Sequence, residues 1–339
     1  MTQPAEPPQA VLMRLANGYQ ISQAIHAAAA LKLSDFVGDS PTSANDVAAA
    51  AGAHPGSVYR LLRALSTLGI FHETDDRLFE HTPVSELLRS DRPGSLLGWP
   101  AFIGRDYHWQ SWGDLVNCIR TGEDATRHLY GVDIWQYRAG KPEETAIFNR
   151  AMAAISGSVA PSIIAACDFG RFDRIMDIGG ADGSLMVAIL RANPHPRGVV
   201  FDLPHVVEAA TTVIKGAELG ERCEIIGGSY YDSIPAGADA CILKSTLMDL
   251  TDDEAVEVLG RVRKALNRGG SVLVLEGLIG APNTGQRDAF SDLNMLVATG
   301  GRDRRRDEWE ALFSAAGLTL ESVTPTASRF HILEARPTR

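Results

Sequence analysis

Apolar positions follow two regimes along the 339-residue chain. Over residues 1–98 they repeat at helical spacing. Leu12, Leu15, Ile21, Ala24 and Ile25 mark an alanine-rich amphipathic helical stretch over 10–33. Ser43-Ala44-Asn45-Asp46 reads as a helix start before Val47, and a helix over 57–68 puts Val58, Leu61, Leu62, Leu65 and Leu68 on one face. Residues 70–73 and 77–80 flank Thr74-Asp75-Asp76 as a hairpin. Helix, turn, helix, hairpin predicts a winged helix. From Ile164 short apolar runs alternate with helical patterns. The runs over 174–178, 198–202, 223–227, 240–244 and 271–275 predict strands, with helices over 184–192, 205–215, 253–266 and 307–316. Two late runs, 319–324 and 330–336, are close enough to pair as a hairpin. The pattern predicts a seven-stranded, mostly parallel α/β sheet behind a mainly helical N-terminal domain. The expected division is 1–98, a connector over 99–163 rich in aromatic residues, and 164–339.

Charge narrows the function of the N-terminal module. A winged helix invites a DNA-binding reading, but residues 1–98 hold seven Lys/Arg against ten Asp/Glu. The wing itself carries Glu73, Asp75, Asp76 and Glu80, which would oppose phosphates. With a net charge of −10 for the whole chain, neither nucleic acid nor an anionic membrane is expected as a partner. Four cysteines at unrelated spacings suggest neither a metal site nor a redox pair, so they read as buried thiols. No apolar run is expected to span a membrane, and a cytoplasmic location follows from this reading.

The chemistry concentrates in Ile175-Met-Asp177-Ile-Gly179-Gly180-Ala-Asp182-Gly183-Ser-Leu185. A short strand ending in Asp177, a glycine pair and an apolar helix form the turn at which an α/β sheet receives a nucleotide-like ligand. Gly179 and Gly180 are expected to allow positive φ and close approach of the backbone. Twenty residues past Asp182, the next strand ends in Asp202, an acid suited to accept from two ribose hydroxyls. Acids at 177 and 182 would repel a pyrophosphate. A ligand with an ammonium group and a ribose but no phosphate suits them better, and S-adenosylmethionine is such a ligand.

Gly228-Ser229-Tyr230-Tyr231, then Ala238 to Lys244, then Asp249 and Asp253-Glu254-Ala255 complete a pattern. Nearly the whole chain resembles the S-adenosylmethionine-dependent O-methyltransferases of the plant caffeate type and their bacterial natural-product relatives. The resemblance implies a winged-helix dimerisation domain, a homodimer, and a Rossmann-like methyltransferase domain. It implies cofactor contacts from Asp177, Gly179, Gly180, Asp202, Leu203, Ser229, Tyr230 and Lys244. Trp109, Phe148, Met152, Met248, Asp292, Asn294 and Met295 would line the pocket of a small aromatic acceptor, for which polarizable, flat walls are suited.

The chain departs from that family at its proton acceptor. The family motif Leu-Lys-x-x-Leu-His-Asp-Trp reads here Leu243-Lys244-Ser245-Thr246-Leu247-Met248-Asp249-Leu250. Met248 cannot take a proton. The acids that flank the family histidine fall on Glu276 and on Asp303, where glutamate is usual; Ser229 stands where an acid commonly holds the adenine amine. Asp249 remains. His108, in the aromatic segment, is the first substitute base, and His128 the second. Three readings follow: an O-methyltransferase working by proximity and orientation without the histidine; an enzyme that keeps the cofactor but does non-methylating chemistry such as hydroxylation, decarboxylation or a pericyclic reaction; and a non-catalytic ligand-binding dimer.

Overall fold

The computed structural model describes residues 6–338. The chain divides into two compact units. The first runs to Trp109 and takes in Glu143–Ile155; the second comprises Gln110–Pro142 and the chain from Ser156 onward.

In the first unit the N-terminal helical stretch is broken at Asn17 into Pro8–Ala16 and Gly18–Ala30. Ser43 caps the helix Ala44–Ala51 by accepting from the Asp46 N–H, while its hydroxyl donates to the Asp46 carboxylate at 2.6 Å. A side-chain cap of this kind is worth about 1 kcal/mol. The next helix, Pro55–Ser66, has proline in its first turn, where no N–H is missed. Strands β1 (Thr42–Ser43), β2 (Phe71–Glu73) and β3 (Leu78–His81) form an antiparallel sheet in the order β1-β3-β2. Leu33, Val47, Leu62, Leu65, Phe71 and Phe79 fill its core. Leu68 lies outside that core: it sits past the helix end and is 46% exposed.

The second unit is built on strands β4 (Arg174–Ile178), β5 (Arg197–Asp202), β6 (Cys223–Gly227), β7 (Ala238–Lys244), β8 (Leu266–Glu276), β9 (Leu318–Pro325) and β10 (His331–Pro337). Their order is β6-β5-β4-β7-β8-β10-β9. The first five are parallel, and β10 runs antiparallel between β8 and β9. Parallel strands buried on both faces explain the near-continuous Val/Ile/Leu runs that made them legible. One face packs Ser184–Ala192 and Pro204–Gly216 through Leu185, Met186, Ile189, Leu190, Ala210 and Ile214. The other packs Asp252–Ala265 and Arg306–Ala315 through Val258, Leu259, Val262, Trp309 and Phe313. Full burial of such side chains contributes at most roughly 1.5–3 kcal/mol each. The chain steps from β4 outward to β6, then returns to β7 on the other side of β4. That reversal leaves a crevice at the carboxyl ends of β4 and β7.

One helix departs from the sequence expectation about membranes. Pro142–Ala166 is long and apolar enough to cross one by length and composition only, with 22% of its apolar window buried; a single helix of this kind is weak evidence for a span. Glu143, Glu144 and Arg150 interrupt its first turns, which hid an apolar average carried by alanine and isoleucine.

Candidate active site

The crevice carries the glycine turn. Gly179 has φ +74° and Gly183 has φ +75°, both in the left-handed region. Gly180 does not, contrary to expectation; the positive φ passes to Ala181, at +48°. Space, not φ, requires glycine at 180: a Cβ there would lie 3.0 Å from the Asp177 carbonyl oxygen and from Val200 Cγ1. Asp182, just before the following helix, accepts from the Ser184 N–H at 3.0 Å and its hydroxyl at 2.7 Å. The Asp202 carboxylate accepts the Ala181 N–H (2.9 Å) and the Leu203 N–H (2.7 Å). With about four lone-pair sites on a carboxylate, two remain for ligand hydroxyls. Leu203 is exposed beside it.

Asp177 is buried, and burial raises its carboxyl to about 7 against the opposing pull of Lys244. Burial likewise lowers the Lys244 ammonium, while Asp177 raises it. Lys244 also lies 5.7 Å over the Phe330 ring. Tyr230 packs against the second core and against Tyr231, ring centroids 4.7 Å apart; burial drives its hydroxyl well above its ordinary value. Ser229 accepts the Tyr231 N–H. Glycines that leave the backbone open, an acid with spare acceptors and a tyrosine face together suit a nucleoside bearing a cationic amino-acid tail.

After β7 the chain turns sharply. Ser245 adopts φ +53°, and a single 3-10 turn, Leu247–Asp249, presents Met248. Met248 is 7% exposed. Glu276, at the end of β8, accepts from the Thr246 N–H (3.1 Å) and the Met248 N–H (3.3 Å) through Oε1, and its Oε2 has no partner among the described residues. On the other side the Met248 carbonyl accepts the Arg302 N–H at 2.8 Å. Gly301 passes so close that a Cβ would lie 2.1 Å from that carbonyl oxygen.

Three acids surround the turn. Burial raises Glu276 to about 8, with Asp303 and Asp249 pushing it further and Arg329 opposing. Burial raises Asp249 to about 7, against Arg138. Asp303 is also raised by burial, opposed by Ser291 and Arg329. Asp292 accepts the Asp303 N–H at 2.9 Å, and burial raises its carboxyl as well. Asn294 accepts from Trp112 Nε1 at 3.0 Å, and Met295 is buried nearby on the same helix, Gln286–Ala298.

His108, Trp109, Phe148 and Met152 belong to the first unit. The His108 ring stands edge-on to Phe102 at 5.0 Å, and Phe148 does the same from 5.4 Å. Trp109 is 37% exposed. His128, in the second unit, is exposed and pairs with Asp114 at 2.8 Å.

Several residues escaped sequence reasoning. Arg138 is buried and acts electrostatically on Asp249 from a helix, Ile134–Ala139, remote in sequence. Arg304 is 1% exposed and donates to both sides of the Met248 turn. Neither Ala181 nor Ser245 carries a sequence signal for positive φ, though both sit where strain is commonly stored. All four cysteines are free; three are buried, but Cys167 is only half-buried because it ends its helix. Burial raises Cys167 and Cys223 to about 11 and Cys241 to about 12, so none is a ready nucleophile. No group of acids, histidines and cysteines suited to a metal occurs among the described residues.

Known proteins share this architecture. Residues 13–91 match the O-methyltransferase dimerisation domain, and residues 112–319 match the O-methyltransferase domain. The chain is 36% identical to the phenazine O-methyltransferase PhzM of Lysobacter antibioticus over 98% of its own length and 97% of that protein. It is 35% identical to the mitomycin biosynthesis 6-O-methyltransferase of Streptomyces lavendulae, over 93% and 90%. The crystal structure of NcsB1, an O-methyltransferase from neocarzinostatin biosynthesis in complex with S-adenosyl-L-homocysteine and 1,4-dihydroxy-2-naphthoic acid, is similar at TM-score 0.79 and 31% identity, over 94% of this chain and 96% of that one. With a seven-stranded sheet, an open glycine turn facing Asp202 and an N-terminal dimerisation module, the chain belongs to the S-adenosyl-L-methionine-dependent O-methyltransferases of the bacterial natural-product type.

Proposed function

We propose that this enzyme methylates an ionisable hydroxyl on a small polycyclic aromatic natural-product precursor, by holding acceptor and cofactor in line rather than by deprotonating the acceptor with histidine. The carrying observation is Met248: a buried thioether on a turn held at its N–H by Glu276 and at its carbonyl by Arg302. Bound at the crevice, the cofactor supplies a methyl group already activated by a sulfonium. Asp202 would hold the ribose hydroxyls, Gly179, Gly180 and Leu203 would admit its backbone-side edge, Ser229 and Tyr230 would flank the adenine, and Asp177 with Lys244 would set the charge beneath the tail.

The remaining residues hold and shape the acceptor. Met248 and Met295 offer polarizable walls, and Asn294, already fixed by Trp112, offers its amide to a substituent. Glu276, neutral below about pH 8, is a poor proton acceptor and serves to hold the turn. Asp249, raised to about 7, and His108 are the groups to which a base would revert if one is used. Relatives named for phenazine and mitomycin, and a similar structure solved with 1,4-dihydroxy-2-naphthoic acid, support a fused-ring acceptor. The apolar residues left exposed on the first two helices, Leu12, Met13, Leu15 and Tyr19, support a homodimer through the N-terminal module.

The test is mass analysis of hydroxylated fused-ring acceptors after incubation with methyl-labelled cofactor. One labelled methyl on oxygen is expected. Cofactor binding without any methylated product would move the protein to the non-methylating reading that loss of the histidine also admits.

A further inference from the structure

We infer that Arg304 is the positioning residue of the active-site turn: it sets where Met248 and Asp249 stand without touching substrate or cofactor itself. Arg304 is 1% exposed. A guanidinium so deeply buried is costly unless its donors are all met. Here the five N–H donors are accounted for. Nε donates to Asp252 Oδ1 at 2.8 Å, and Nη2 reaches the same oxygen at 2.8 Å. The other Nη2 proton goes to the Leu250 carbonyl at 3.0 Å, and Nη1 serves the Leu247 carbonyl at 2.9 Å and the Arg302 carbonyl at 3.3 Å.

The partners matter more than their number. Leu247 and Leu250 bracket the turn Leu247–Asp249 on both sides, so one rigid planar fork fixes its two ends. Arg302 and Asp303 belong to the segment that closes over the turn, and Asp252 begins the helix that follows it. Arg304 therefore ties three separate segments to one plane. Its own backbone is fixed in turn, since the Arg304 carbonyl accepts the Ile279 N–H at 3.2 Å beyond β8. Trp309 lies against the guanidinium, ring centroid 5.3 Å away, and excludes water. Lysine could keep the charge but not the fork: a point charge cannot span both carbonyls and the carboxylate.

The inference rests on the methyl-transfer reading for its kinetic arm only. Arg304→Lys and Asp252→Asn would be compared with the wild type by hydrogen exchange and by steady-state kinetics. Asp252→Asn weakens the anchor while leaving the guanidinium in place, so it answers the question if Arg304→Lys fails to fold. Exchange of amides in 245–251 should rise about tenfold, with the glycine turn at 179–183 unchanged. The kcat should fall by roughly ten- to a hundredfold, as misplacement of about 1 Å can cost, while cofactor KM stays within about twofold. Unchanged exchange at 245–251 in both variants would overturn the proposal, as would an equal loss of kcat and cofactor affinity, which is the mark of general unfolding. If the wild type methylates no acceptor, the methyltransferase reading fails, and exchange alone then decides the role of Arg304.

Discussion

Replacing Glu276 by glutamine should make the protein more stable, by an amount that grows with pH. The buried carboxyl titrates at about 8 in the folded chain, against an ordinary value of about 4.3 when unfolded. Between those two values the unfolded chain has ionised this group and the folded chain has not, so folding takes up a proton. Stability from this group is full below about pH 4.3 and is lost as pH rises through about 8, at up to about 1.4 kcal/mol per pH unit. Glutamine mimics the protonated acid: its carbonyl can still accept from the Thr246 and Met248 N–H groups, and no charge is buried at any pH. Coupling to Asp303 and Asp249 spreads part of the titration over neighbours, so the relative gain between pH 6 and 8 should be about 2 kcal/mol. Urea unfolding of both proteins at pH 6, 7 and 8 measures it directly. Parallel stability profiles, with the variant offset by a constant, would refute the reasoning, because they would mean that the wild-type carboxyl has its ordinary value.

Other expectations follow from the same geometry. Asp202→Ala removes the charged acceptor assigned to the ribose and should weaken cofactor binding by roughly 1.5–3 kcal/mol in calorimetry; unchanged affinity would remove that assignment. Gly301→Ala forces a methyl to within 2.1 Å of the Met248 carbonyl oxygen. It should cost about 1–3 kcal/mol of stability and lower turnover, whereas a melting curve and kcat like the wild type's would show the turn to be freer than described. Charged residues in place of Leu12 and Leu15 should give monomers in light scattering, where the wild type stays dimeric on dilution.

The parts of this protein written in local pattern were legible in its sequence. The parallel strands announced themselves as apolar runs because both faces of the sheet are covered, and the cofactor turn announced itself because glycine and acid spacing is dictated by the ligand. Gly180 illustrates the limit: its need for glycine was foreseen, but the reason is crowding by Val200 and Asp177 rather than φ, which depends on a strand twenty residues on. Helix Gln286–Ala298 puts its three charged residues in its first seven positions and mostly apolar ones after them, a pattern that does not announce a helix. Arg304 was not foreseen at all, since the carbonyls that justify its burial lie 54 and 57 residues away. The acids were placed by resemblance, while their raised carboxyls arise from burial, which composition does not reveal.

The central claim is catalysis by alignment with Met248 as an apolar wall. It is tested most directly by turnover against pH for a series of acceptors of one ring size differing in hydroxyl acidity. The account predicts an inflection that tracks each acceptor's own ionisation. An inflection fixed near neutrality for every acceptor, at the value of Asp249 (about 7) or of an ordinary imidazole (about 6.5), and abolished by Asp249→Asn or His108→Ala, would contradict it and place a base on the protein.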